Sequence, residues 1–282
     1  MRLIAAALFG LASQVASAGD SLELRGEWKQ GHLVFGHADP RAEVTFNGRK
    51  LSVSNNGDFV LGLDRDQKPD AEIVVRLQDG SQEKHHYDVA KQEWQVQRIE
   101  GLPPAKVNPP AKEMERIKKE QAQIHAVHEI DSDLDGFTQN WIWPAQGRIS
   151  GVFGSQRILN GEAKSPHAGV DVAVPIGTKV VAPADGIVRL AGRDFYFTGG
   201  TLIIDHGHGV SSIMVHLSKL LVKKGQHVKQ GEFIALSGMT GRATGPHLHW
   251  GVNWFDVKVD AATLVPPMPA VPETHATPTS NP

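Results

Sequence analysis

Between residues 22 and 98 apolar side chains alternate with polar ones in short runs: 22–28, 32–35, 42–46, 50–53, 59–63, 73–77, 83–89 and 94–96. A period of two is the signature of half-buried strands. Asn47-Gly48 and Asp79-Gly80 stand between such runs and accept the positive φ of two-residue hairpin turns. About 75 residues of this texture predict a small N-terminal β-sandwich. Pro103-Pro104 and Pro109-Pro110 then break the pattern and mark a boundary. Beyond them Met114, Ile117, Ile124 and Val127 recur at helical spacing, with Asn108 as the expected cap and Glu115 four residues before Lys119. This reads as an amphipathic linker helix resting on a neighbouring domain. From Trp141 to Val265 the chain is β-like again and richer in Gly and Val. Two similar segments, 175–188 and 224–235, each read as strand, Gly turn and strand, so a compact antiparallel sheet is expected.

The ends add two expectations. Arg2, an apolar stretch from Leu3 to Leu11 and Ala16-Ser17-Ala18 read as a signal peptide over 1–18 with a mature start at Gly19. Its apolar core is about half the roughly 20 residues needed to span a bilayer, and no later segment is apolar enough, so the mature form has no stable membrane span. The Pro-rich tail, 266–282, reads as disordered. The expected organisation is therefore a signal peptide (1–18), a sandwich (19–98), a Pro-rich linker with helix (99–140), a β-rich domain (141–265) and a tail (266–282). The runs from Pro40 and Asn56 resemble bacterial immunoglobulin-like modules.

Composition removes several chemistries. The 282 residues carry 29 Lys+Arg against 31 Asp+Glu, a net charge of −2, so no bulk field favours nucleic acid. The absence of cysteine excludes disulfides, thiolate zinc sites, iron–sulfur clusters and thiol nucleophiles. His, carboxylate and hydroxyl remain, and there are 14 His. In the 141–265 region they fall into three motifs: His167-Ala-Gly-Val-Asp171, His216-Leu-Ser and His247-Leu-His249. His167 and Asp171 can share one side of an extended segment, and His247 and His249 share one face of a strand. If those faces meet, two His and one Asp make a three-ligand site with a fourth position open to water, the layout of catalytic zinc. His216 and the remaining member of the His-x-His pair would stand beside it.

These motifs resemble those of the lysostaphin-type M23 metallopeptidases, together with Ser150-Gly-Val-Phe-Gly154, Ala182-Pro-Ala-Asp-Gly186 and Val228-Lys-Gln-Gly231 over about residues 141–265. The resemblance implies a barrel-sandwich-like antiparallel β domain and a Zn2+-dependent endopeptidase acting on peptidoglycan stem peptides. It also implies His167, Asp171 and His249 as zinc ligands and His216 and His247 as the catalytic pair. One departure is Met214, where the family often has Tyr. The expected location is outside the cytoplasm, the Gram-negative periplasm first and secretion second, with a regulatory protein or membrane complex as a further partner. The scissile bond, D-Ala to diaminopimelate or a glycine bridge, is left open.

Other readings are weaker. A zinc-free wall-binding factor that activates other hydrolases is opposed by the complete His and Asp set. A lipoyl- or biotinyl-type carrier needs a Lys at the hairpin tip, and Ala182-Pro-Ala-Asp-Gly-Ile has none. His128-Glu129 lacks the second His of a helical zinc motif, since residue 132 is Ser. His206-Gly-His208 reads as a turn. His32, His37, His85, His86, His125 and His227 read as surface residues. Phe195, Tyr196 and Phe197 are expected either to wall a substrate groove or to pack in the core.

Overall fold

The computed structural model of the protein describes residues 22–101 and 107–269. The expected signal peptide, Pro103-Pro104 and most of the Pro-rich tail lie outside those residues.

Alternation in the N-terminal part becomes seven antiparallel strands. β1 (Leu22–Arg25), β2 (Leu33–Ala38) and β5 (Asp58–Gly62) form one sheet in the order β1-β2-β5. β3 (Glu43–Phe46), β4 (Arg49–Lys50), β6 (Asp70–Arg76) and β7 (Gln82–Asp88) form another in the order β4-β3-β6-β7. β6 shows the causal pattern: Ala71, Ile73 and Val75 are buried while Asp70 and Arg76 are exposed. Asn47 and Gly48 take φ of 47° and 80° in the β3–β4 turn, as an Asn-Gly hairpin requires. The 50–53 run contributes only Lys50 to a strand.

The 94–96 run departs from expectation. It continues as β8 (Val96–Ile99), which leaves the N-terminal sheets and pairs in parallel with β10 (Gln156–Leu159), beside β11 (Glu162–Ala163). Alternation fixes a strand's faces and leaves its partner to tertiary contacts. Here the anchor is Trp94, edge-on to Phe153 at 5.6 Å and beneath the Arg65 guanidinium at 5.2 Å.

The helix is α1 (Met114–His128), entered through a 3-10 turn at Ala111–Glu113. Asn108 does not cap it: its side chain bonds Glu162 and Lys164 instead, and no side chain caps the helix start. Met114 is 40% exposed, whereas Ile117 and Val127 are buried. Val127 packs with Leu190, Phe195 and Ile203 of the C-terminal sheet. The helix thus rests on a neighbouring domain, as its stripe predicted.

That sheet is built from β9 (Arg148–Gly151), β12 (Val170–Ala173), β14 (Gly186–Phe195), β15 (Gly199–Gly207), β16 (Val210–Leu217), β18 (His227–Val228), β20 (Leu248–Trp254) and β21 (Val257–Val259). Its order is β18-β14-β15-β16-β20-β12-β9, with β21 beside β20. β15 is buried along its whole length. Leu202 and Ile204 face the main core and Ile203 faces α1, so an unbroken apolar run is covered on both sides. β13 (Lys179–Val181), β17 (Lys219–Leu220) and β19 (Phe233–Leu236) form a second, three-stranded sheet. The two look-alike segments do not form separate hairpins: β13 pairs with β19 and β14 with β18, so they clasp each other.

One hydrophobic cluster runs through both halves of the molecule. Phe46 meets Trp254 at 6.2 Å, and Arg49 lies 3.8 Å over the Phe255 ring. The start of the tail is packed as well: the Trp143 indole donates to the Pro266 carbonyl at 2.7 Å, and Met268 lies against the core. Among the described residues, no helix is long and apolar enough to cross a membrane.

Candidate metal centre and cleft

Strand register assembles the site. β12 and β20 are antiparallel neighbours with Asp171 directly opposite His249, and on the other side of β20 His249 lies opposite Val215, the residue before His216. Opposed residues have Cβ atoms about 4.5–5.5 Å apart, so three sequence motifs 30 to 80 residues apart meet without long-range adjustment. His167 sits in the loop before β12, fixed by its own N–H to the Ser155 carbonyl (2.9 Å) and its carbonyl to the Gly154 N–H (2.9 Å). Gly151 of β9 gives it room. A Cβ there would lie 2.5 Å from Asp171 Oδ2 and 3.0 Å from His167 Cε1.

Three donor atoms converge. His167 Nε2 is 3.0 Å from Asp171 Oδ1 and 2.9 Å from His249 Nδ1, and His249 Nδ1 is 2.8 Å from Asp171 Oδ1. The proton inventory then asks for a cation. His167 Nδ1 faces the Val152 carbonyl at 3.0 Å, an oxygen that can only accept, so Nδ1 carries the ring proton. Nε2 then points a lone pair at a carboxylate oxygen, unless the ring is an imidazolium. Burial opposes that and pushes the His167 pKa down to about 4. A metal ion in place of the missing proton satisfies all three donors, and two imidazole nitrogens with one carboxylate suit zinc. Burial by itself would raise the Asp171 carboxyl. The adjoining His167 and His249 rings outweigh it and hold the group ionised, far below the usual carboxylate range.

Two further rings flank this cluster with their tautomers set in the same way. His216 Nδ1 donates to the Thr240 carbonyl (2.7 Å) and His247 Nδ1 to the Gly245 carbonyl (2.8 Å), leaving each Nε2 as an acceptor. The ring centroids are 4.7 Å apart, and His247 Nε2 is 3.7 Å from Asp171 Oδ1. Burial, with the neighbouring His249 and His247, lowers the His216 pKa to about 3, so this ring is neutral at pH 7. All five residues singled out from sequence therefore meet in one place. Met214, at the departure from the family pattern, is fully buried in the core.

Sequence reading passed over three contributors. Arg157 Nη2 holds Asp171 Oδ2 at 3.1 Å, leaving Oδ1 to the histidines. Arg242 lies 4.4 Å over the Phe197 ring and lines the cleft. Gln97, from β8, reaches the Arg157 Nε at 3.4 Å. No spacing rule marks these residues, because each acts across elements that only folding brings together. The cleft has two lobes of about 280 and 510 Å³ that meet at His216. Gln97 and Ile99 of β8 wall the first, and Ile117 and Ile124 of α1 wall the second. Of the three aromatics, Phe197 lines the cleft and Phe195 belongs mainly to the cluster under α1. Tyr196 is not part of the lining and instead meets Phe197 edge-on at 5.0 Å.

The other histidines separate by burial. His206 is not a turn residue. It closes β15, is fully buried, and bonds the Asp185 carbonyl through Nδ1 (2.7 Å) and Ser212 Oγ through Nε2 (2.8 Å). His208 does take the turn conformation, at φ 51°. His37, His86, His125 and His227 are exposed, while His32 and His85 are half-buried.

Residues 165–261 match the model of peptidase family M23. The chain is 42% identical over 127 residues to the peptidoglycan DD-endopeptidase ShyA of Vibrio cholerae, covering 42% of this chain and 29% of that protein. It is 37% identical over 122 residues to the DD-carboxypeptidase/endopeptidase Mpg of Neisseria meningitidis, covering 43% and 28%. These matches span less than a third of either relative. A solved M23 peptidase structure from Pseudomonas aeruginosa is similar over nearly its full length, with 30% identity, coverage of 85% of this chain and 96% of that one, and a TM-score of 0.67. With a zinc-type donor set on the matching fold, the chain belongs to the M23 peptidase family.

Proposed function

We propose that this protein is a zinc-dependent endopeptidase that hydrolyses peptide cross-links of peptidoglycan outside the cytoplasm. The observation that carries the reading is the converging donor set of His167, Asp171 and His249, flanked by two histidines whose tautomers are fixed. Those three residues would hold the ion. Zinc in such a site supplies a Lewis acid that lowers the pKa of bound water towards 7 and polarises a peptide carbonyl. The protein does the rest. Arg157 keeps the Asp171 carboxylate turned towards the histidines. His216 and His247 turn their Nε2 sides to the cleft, where one can take a proton from water and return it to the leaving amine. The Thr240 and Gly245 carbonyls stabilise either ring when it becomes cationic, because they accept from the Nδ1–H.

The DD-endopeptidase and DD-carboxypeptidase relatives support D-Ala-containing cross-links as the substrate class. A zinc-free activator of other hydrolases has no need of a complete ligand set with two poised bases, and is not favoured. The test is metal content per chain by elemental analysis, followed by incubation with purified peptidoglycan and mass analysis of released muropeptides. About one zinc and new peptide ends are expected from the protein, neither from His249→Ala, and zinc without turnover from His216→Ala. Equal zinc loss in both variants would overturn the division of roles.

A further inference from the structure

The chain as a whole is slightly acidic, yet its cleft is not. Five cationic side chains (Arg148, Arg157, Lys164, Arg242 and Lys258) line the two lobes against two carboxylates, Asp171 and Glu120. Both carboxylates are already engaged. Asp171 belongs to the metal centre, and Glu120 accepts from Arg116 and from the Tyr196 N–H. Arg157 and Arg242 stand out among the cations. Both border both lobes, as His216 does, so they stand where the lobes join beside the catalytic histidines. Arg157 is held by Asp171 on one side and Gln97 on the other, and Arg242 is stacked on Phe197, so both forks are pre-positioned. Two guanidiniums at one junction repel each other and favour a shared anion, and the guanidinium fork matches a carboxylate in two parallel hydrogen bonds.

We propose that Arg157 and Arg242 form a carboxylate-binding subsite that recognises the free carboxylate on the carbon bonded to the scissile amide nitrogen. The subsite rests on the peptidase reading above and sharpens it. A D-Ala–diaminopimelate cross-link carries such a carboxylate, as does a terminal D-Ala–D-Ala, whereas a bond inside a glycine bridge does not. A site built around this group therefore selects the first two and rejects the third. Its position beside His216 puts the bound carboxylate next to the reacting bond, so binding it also aligns the leaving nitrogen with the proton-transfer pair.

The experiment uses two synthetic dimeric stem peptides, identical except that this carboxylate is free in one and a carboxamide in the other. They are assayed with the zinc-loaded full chain and with Arg242→Gln, which lies away from the metal ligands. The expected result is at least a tenfold preference in kcat/KM of the unaltered protein for the free acid, falling to below threefold in Arg242→Gln with zinc per chain retained. A variant whose effect was merely structural would lower both rates and keep their ratio. Equal cleavage of the two peptides by the unaltered protein would overturn the subsite while leaving the peptidase reading intact. An undiminished ratio in Arg242→Gln would also overturn it. Cleavage of neither peptide by the unaltered protein would overturn the peptidase reading and the subsite together.

Discussion

His216 adopts φ 62°, a left-handed conformation that costs a residue with a Cβ about 1–3 kcal/mol. It is held there by its N–H on the Thr198 carbonyl at 2.8 Å and its ring on the Thr240 carbonyl. Asn tolerates this conformation better than most residues. His216→Asn is therefore expected to keep its melting temperature and zinc while turnover falls about 10²- to 10⁴-fold; a matching loss of folded protein would assign the imidazole to the fold. Gly151→Ala pushes a methyl group against Asp171 and His167. Zinc affinity should fall about 10- to 100-fold, as for disturbed outer-shell partners, and competition with a chromophoric chelator measures it; unchanged affinity would show that β9 can move aside. His206 gives a pH prediction. Burial lowers its pKa from 6.5 to about 4, so its proton binds the unfolded chain more tightly. Its stability contribution is complete above pH 6.5, declines as the pH falls towards about 4 and is then constant, a loss of up to about 3 kcal/mol. Urea midpoints between pH 7 and 4 should fall more steeply for the native chain than for His206→Gln, and parallel slopes would reject the assignment. At this scale sequence gave the motif residues but not His206, whose flanking glycines suggest a turn while Ser212 and the Asp185 carbonyl draw it into the core.

At the scale of elements, α1 does more than cover Ile203. Its Glu120 accepts from the Tyr196 N–H at 2.7 Å, and its Arg116 reaches the Asp194 carbonyl, so the helix pins the β14–β15 turn that carries Phe197 into the cleft. A charge-assisted hydrogen bond is worth about 1.5–3 kcal/mol. Glu120→Ala should raise hydrogen exchange at 193–199 by about tenfold or more and raise KM, with kcat and zinc little changed. Unaltered exchange would mean that the turn holds itself. The helix was legible from its apolar spacing, and so was its role as a cover. Its start was not, because Asn108 is drawn to Glu162 and Lys164 across the chain. The clasp of β13 with β19 and β14 with β18 was equally hidden, since a strand–turn–strand pattern looks the same whether its strands pair with each other or with a second copy.

Across the whole molecule the N-terminal sheets and the C-terminal domain share one core, and they meet at the Trp254 end of β20. The metal centre lies at the opposite end of that strand, about 15–20 Å away at roughly 3.3 Å per residue. Accordingly no residue of β1–β7 is among the cleft lining, while β8 and α1 supply two of its walls. Shared burial predicts one cooperative thermal transition, superimposable by tryptophan fluorescence and far-UV circular dichroism; two separated transitions would show that the halves fold independently. The sequence by itself determined the β class, the covering helix and the five metal-centre and catalytic candidates, because period and motif spacing are local and follow from how a strand or helix presents its side chains. The tertiary structure alone decided which strands pair, that β8 and α1 wall the cleft, and that Arg157 and Arg242 line the same two lobes as His216. Those are contacts between distant segments, and register, burial and charge at a shared surface exist only once the chain has folded.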